Sequence, residues 1–258
     1  AQMIAPACDA GTGGPGSFVG RDFALERVEP GSLLHLSAQG LYRAFLNGHR
    51  VGHDLLTPGW TCYDDRIAFQ TYDVTALLQP GPNRLEIWLG DGWYRSRLMW
   101  ALNPIPNTWG DQIGAFAELV AAGRTILKTD ASWRAGLTPV TGNGIYHGED
   151  YDARIQIADT HGVKVLPFDL ALLVPHEAPP VVEMAAVAAI DTWTDGEATV
   201  YDFGQNCGAY ARIAVQGPAG AMGGAAGAYQ GPGGGGGYAA GGPGGVADET
   251  RLMSSSTP

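Results

Sequence analysis

No run of about 18 apolar residues occurs in the 258-residue chain, so a membrane-spanning helix is not expected. Basic side chains are scarce: 15 Lys and Arg stand against 26 Asp and Glu, a formal charge of −11. A surface of that sign repels polyanions, so neither nucleic acid nor membrane is an expected partner. The opening residues, AQMIAPACDAGTGG, lack a basic start followed by an apolar core. No signal peptide is therefore visible, and the compartment stays open. Cysteine is nearly absent too, and Cys8, Cys62 and Cys207 lie too far apart for a zinc knuckle or a disulfide framework. They read as free thiols. The six histidines do not cluster, and His49 and His53, four apart, are interrupted by Gly48 and Gly52. That excludes the helical i, i+4 spacing of a zinc site. Hardly one helical periodicity is present.

What the chain does have is aromatics, with seven Trp, ten Tyr and seven Phe among short Val, Ile and Leu runs. Its 39 Gly and 17 Pro punctuate those runs every few residues. This is the profile of many short strands joined by tight turns, and the expected fold class is all-β. SLLHLSAQG (32–40) and LYRAFLNG (41–48) read as strands, and Asn47-Gly48 signals a two-residue hairpin into HRVGHDLL (49–56). Asp73 precedes VTALL, where it can cap one helical turn before Pro80-Gly81. RLEIWLG (84–90) alternates as a central strand, and GAFAELVAA (114–122), RTILKTD (124–130) and ASWRAG (131–136) follow. Residues 1–16 read as a Gly-rich opening segment, with regular structure from about Phe18. Pro179-Pro180 marks a linker or an edge. EATVYDFGQNCGAYARIAVQG (197–217) returns to strand patterning, and residues 218–258 collapse into Gly, Ala, Pro and Ser. So few apolar anchors do not offset ordering entropy, and most of that tail is expected to lack fixed structure.

Four stretches in order carry a family resemblance: LYRAFLNGHRVGHDLLTPGWTCYDDRIAFQTYDVTALLQPGPN, LGDGWYRSRL, NGIYHGEDYDAR and YDFGQNCGAYARI. Together they resemble the N-terminal region of bacterial α-L-rhamnosidases of glycoside hydrolase family 78, over roughly residues 1–217. Met3 stands where the family usually has Trp. The resemblance implies a jelly-roll-like β-sandwich over 17–155, then part of a second β-sandwich over 156–217, ahead of the Gly-rich tail. It also implies that catalysis belongs to an (α/α)6 barrel, a partner that this sequence does not supply. No catalytic residue is therefore expected here.

Sugar-binding loops combine a flat aromatic face with carboxylates, amides or a calcium ion that meet vicinal hydroxyls. GDGWYRSR offers Asp91, Trp93 and Tyr94; TGNGIYHGEDYDAR offers Asn143, Tyr146, Glu149, Asp150, Tyr151 and Asp152. The sugar-binding candidates are Asp91, Trp93, Tyr94, Asn143, Glu149 and Asp152. By resemblance to the calcium-dependent rhamnose modules of some members, Asp91 is the candidate calcium ligand and Asn143 a sugar contact. The bland readings stand beside these: Trp93, Tyr94 and Trp60 as packing aromatics, Asp91, Asp64 and Asp65 as turn residues, and Glu149 and Asp150 as solvated loop charges. Asp152 can pair with Arg154 or Arg95. DFGQN (202–206) reads as a strand bend whose polar side chains satisfy backbone. The expected function is recognition of rhamnose-containing glycans; the competing one is a β-region that buttresses the barrel without binding sugar. Glycosidase action by this chain needs two carboxylates flanking a bond, and Asp91 with Glu149 is the pair to test.

Overall fold

The computed structural model describes residues 1–98 and 104–205, together with the backbone of 209–213 and 250–254. The alternation in the sequence becomes strands β1 (Ile4–Pro6), β2 (Ser17–Leu25), β3 (Leu33–Gln39), β4 (Leu41–Leu46), β5 (His49–Arg50), β6 (Ile67–Asp73) and β7 (Gly81–Gly90). The chain continues through β8 (Gly114–Ala121), β9 (Arg124–Lys128), β10 (Arg134–Leu137), β11 (Val140–Gly144), β12 (Gly148–Tyr151), β13 (Val163–Val165) and β14 (Leu173–Pro175). One sheet has the order β13-β1-β8-β3-β6-β14, with β9 also on β8; the other has the order β10-β2-β7-β4-β5. Only β14 on β6 is parallel within these two sheets. The fold is an all-β sandwich.

The two inner faces share one core. On β7, Asn83, Leu85, Ile87 and Leu89 are buried while Arg84, Glu86 and Trp88 face outward, as a period of two requires. Ile87, Leu85 and Leu89 pack with Leu34, Leu36 and Ala117 of the opposite sheet. Each such side chain contributes on the order of 1.5–3 kcal/mol. Asn47 and Gly48 both hold positive φ, 53° and 79°, so the expected two-residue hairpin forms, although β5 is only two residues long. Asp73 accepts a hydrogen bond from the Thr75 N–H at 2.9 Å and holds the 3-10 turn Thr75–Leu77.

Two boundaries differ from those expected. The opening segment is structural: Met3, Ile4 and Ala5 are buried, and β1 lies between β8 and β13. Its Gly content hid the three-residue apolar run that the sheet uses. The first sandwich also does not end at 155, because β13 pairs with β1 and β14 with β6. Beyond it, β15 (Asp191–Asp195) and β16 (Ala198–Asp202) form a hairpin, and the backbones of β17 (Ala209–Ile213) and β18 (Thr250–Ser254) pair antiparallel. Thus part of the tail is strand, while 218–249 and 255–258 lie outside the described residues. Asp202 accepts a hydrogen bond from the Gly204 N–H at 2.7 Å, as a strand-bend residue should; Asn206 lies outside the described residues. Cys8 and Cys62 are free thiols, and Cys207 is likewise outside. Among the described residues no helix is long and apolar enough to cross a membrane.

Candidate functional site

The central strand β7 ends at Gly90, and the chain turns at once into the four-residue helix α1 (Gly92–Arg95). Gly92 holds φ +55°, and a Cβ there would stand 2.6 Å from the Leu41 side chain, so this turn requires glycine. Asp91, at the turn, is fully buried. Its Oδ1 accepts from Arg95 Nε at 2.8 Å, and its Oδ2 accepts from the Gly13 N–H at 2.6 Å. Burial lifts the Asp91 carboxyl above the usual range, while the Arg95 charge and the Gly13 N–H oppose the rise. Arg95, equally buried, also donates to Asp9, at 2.9 Å from Nη2, and to the Asp111 carbonyl at 3.1 Å. Burial opposes the Arg95 charge, but hydrogen bonds and charge from Asp9 and Asp91 outweigh it and push its pKa up.

Asp91 is therefore the partner of a buried arginine, not an open loop carboxylate. Both of its oxygens are engaged inside the protein, so it does not fit the role of calcium ligand. Among the described residues no group of three or more His, Cys, Asp or Glu is arranged to hold a metal. Asn143 is engaged as well: its Oδ1 accepts from the Asp91 N–H at 2.7 Å and its Nδ2 donates to the Gly14 carbonyl at 2.8 Å. It ties the β11–β12 hairpin to the end of β7. Asp152 pairs with Arg154, Nη2 to Oδ2 at 2.6 Å, and those bonds hold its carboxyl down at about 2. Tyr94 is buried, accepts from Gln39 Nε2 at 3.0 Å, and meets Tyr63 edge-on at 5.2 Å.

Two candidates remain open to a ligand, Glu149 and Trp93. Glu149, on β12, lines a cleft of about 370 Å³ together with Arg43, Trp88, Arg50, Asp54 and Tyr151. That volume lies at the lower end of small-ligand sites. Glu149 is half-buried, and desolvation, opposed by the Arg43 charge, pushes its carboxyl up to about 7. Arg43 is exposed, and no ion pair within 4.0 Å joins the two. Trp88 presents its ring beside Phe45, at 5.3 Å between centroids, and its buried Nε1 has no hydrogen-bond partner. Trp93 stacks on Trp60 at 5.7 Å with 9° between planes, and Trp60 is 53% exposed. Asp91 and Glu149, one salt-bridged and buried, the other in the cleft, do not make a pair flanking a bond.

Sequence reasoning missed Trp88, Arg43, Arg50 and Asp54. The signal for Trp88 was present: within RLEIWLG the Ile87 that must face the core forces Trp88 outward, and a large aromatic on the open face of a central strand asks for an explanation.

The sequence profile of the α-L-rhamnosidase N-terminal domain matches residues 30–184, more than half of the chain. The chain belongs to that family. It is 40% identical over 130 residues to an α-L-rhamnosidase of Streptomyces avermitilis, covering 48% of this chain and 12% of that protein. It is similar in structure to the native α-L-rhamnosidase of Aspergillus terreus (TM-score 0.77, 31% identity, 85% of this chain and 27% of that one). It is also similar to the Streptomyces avermitilis α-L-rhamnosidase solved with L-rhamnose (TM-score 0.69, 30% identity, 80% and 22%). This α-L-rhamnosidase N-terminal region thus spans about a quarter or less of the length of these relatives. With a fungal protein among them, the likeness extends beyond bacteria.

Proposed function

We propose that this region is the carbohydrate-recognition part of an α-L-rhamnosidase and that it holds a rhamnose-containing glycan in the cleft beneath the β11–β12 hairpin. The observation that carries this reading is the placement of Arg43 and Glu149. They line one cleft and feel each other's charge, yet leave a gap unbridged by an ion pair. A guanidinium supplies donors and a carboxylate supplies acceptors, and adjacent sugar hydroxyls answer both at once. Trp88 gives the apolar face of a pyranose a ring to lie on. Keeping Glu149 half-buried without a paired cation is unfavourable to folding, and such retained cost concentrates at binding and catalytic sites. The rhamnose found in the Streptomyces relative supports L-rhamnose as the first sugar to try. In the parent polypeptide, inverting hydrolysis belongs to a barrel carried elsewhere, and no calcium enters this reading.

Calorimetric titration with L-rhamnose at pH 8 tests it. Binding heat in the wild type, with affinity down tenfold or more in Arg43→Ala and in Glu149→Gln, is the expected result. Arg43 is exposed, so its loss should leave the fold intact. The competing reading, a region that buttresses the barrel, draws on the exposed apolar residues Met184, Ile190, Trp193 and Tyr201 after the first sandwich. No heat from wild-type protein would favour it; equal heat from all three proteins would move the sugar out of the cleft.

A further inference from the structure

Two chain segments each run from the cleft onto the neighbouring aromatic surface. In the first, Asp54, Leu55 and Leu56 line the cleft, and Trp60 follows four residues later, a reach of at most about 14 Å. In the second, Gly90 and Gly92 line the cleft, and the next residue is Trp93. The two segments meet again where Trp60 and Trp93 stack. The stack is braced: Trp109 abuts Trp60 edge-on at 6.1 Å and Tyr63 at 5.2 Å, and Tyr63 in turn meets Tyr94. With one face covered by Trp93 and the residue still 53% exposed, Trp60 offers a flat, held ring to solvent. A ring already fixed loses little side-chain freedom when a ligand settles on it.

We infer that the ligand is an oligosaccharide whose terminal sugar enters the Arg43–Glu149 cleft while a following sugar stacks on the Trp60–Trp93 platform. This rests on the cleft reading above and extends it from a single sugar to a chain. Linking two contacts in one ligand turns the second into an intramolecular event, so an oligosaccharide binds more tightly than its terminal sugar alone. Neither Trp60 nor Trp93 is among the residues that line the cleft, so a single sugar held there is expected to leave both untouched.

The test compares methyl α-L-rhamnoside with a tetrasaccharide of four L-rhamnose residues, titrated into the wild type, Trp60→Ala and Trp60→Phe. The tetrasaccharide is expected to bind the wild type at least tenfold more tightly, beyond the fourfold that four identical residues give by number. Trp60→Ala should erase that gain and leave the affinity for the single sugar unchanged, and Trp60→Phe should restore most of it. A gain of fourfold or less, or a gain that survives Trp60→Ala, overturns the platform while the cleft stands. If neither sugar binds wild-type protein, the cleft reading fails and this one goes with it. An unchanged single-sugar affinity in Trp60→Ala doubles as proof that the variant is folded.

Discussion

Glu149 makes the stability of this domain depend on pH in a direction opposite to that of a salt-bridged carboxylate. Desolvation in the cleft lifts its pKa from 4.5 to about 7. Between those values the folded protein holds a proton that the unfolded chain has released. Stability from this group is therefore complete below about 4.5, declines as pH rises, and is gone above about 7. At about 1.4 kcal/mol per pH unit, the full difference is on the order of 3 kcal/mol, an upper figure because water reaches the half-open cleft. Glu149→Gln keeps the neutral shape without the charge. Urea unfolding of both proteins from pH 4 to 8 should give nearly equal midpoints at pH 4. The variant should then gain steadily, becoming more stable by up to about 3 kcal/mol at pH 8. Taking the difference between the two proteins removes every other titrating group from the comparison. A difference that stays flat across this range, or a wild type more stable at pH 8, would refute the claim that burial holds Glu149 neutral.

Asp91→Ala leaves the buried Arg95 with Asp9 as its remaining carboxylate, and should cost about 3–5 kcal/mol in denaturant unfolding; a loss under 1 kcal/mol would mean the pair is not dry. Gly92→Ala combines a left-handed backbone with a Cβ against Leu41, and a loss of about 2–4 kcal/mol is expected by the same measurement. Because the Asp91 oxygens are engaged internally, rhamnose heats should be the same with added calcium and with chelator; heat lost to chelator would show that this carboxylate reorganises around an ion.

Most of the sandwich is legible in the residues. RLEIWLG, SLLHLSAQG and the Asn47-Gly48 hairpin each carry a local pattern that tertiary packing reinforces, and local and global preferences agree there. The strand Ile4–Pro6 was not legible, because a three-residue run is too short to show a period and its partners are distant. The two loops rich in aromatics and acids, GDGWYRSR and GNGIYHGEDYDAR, contribute Gly92 and Glu149 to the lining of one cleft, yet composition cannot tell a carboxylate that faces that cleft from one that meets Arg95. That assignment depends on Asp9 and Gly13, brought in from the far end of the chain. Glu149 and Asp152 sit three residues apart in sequence, but one faces a cleft and the other is held by Arg154 at its own turn.

The pairing of Ile4 with Val165 also bears on how the chain comes to be folded during synthesis. The ribosome must deliver some 160 further residues after β1 before the strand that closes its outer edge exists. Until then the edge is an open template for other nascent chains, and contacts of such sequence separation form slowly. The first sandwich is therefore expected to complete late and all at once, with its earliest residues among the last to find their partners, and a nascent chain halted before residue 165 should engage chaperones that the finished domain ignores.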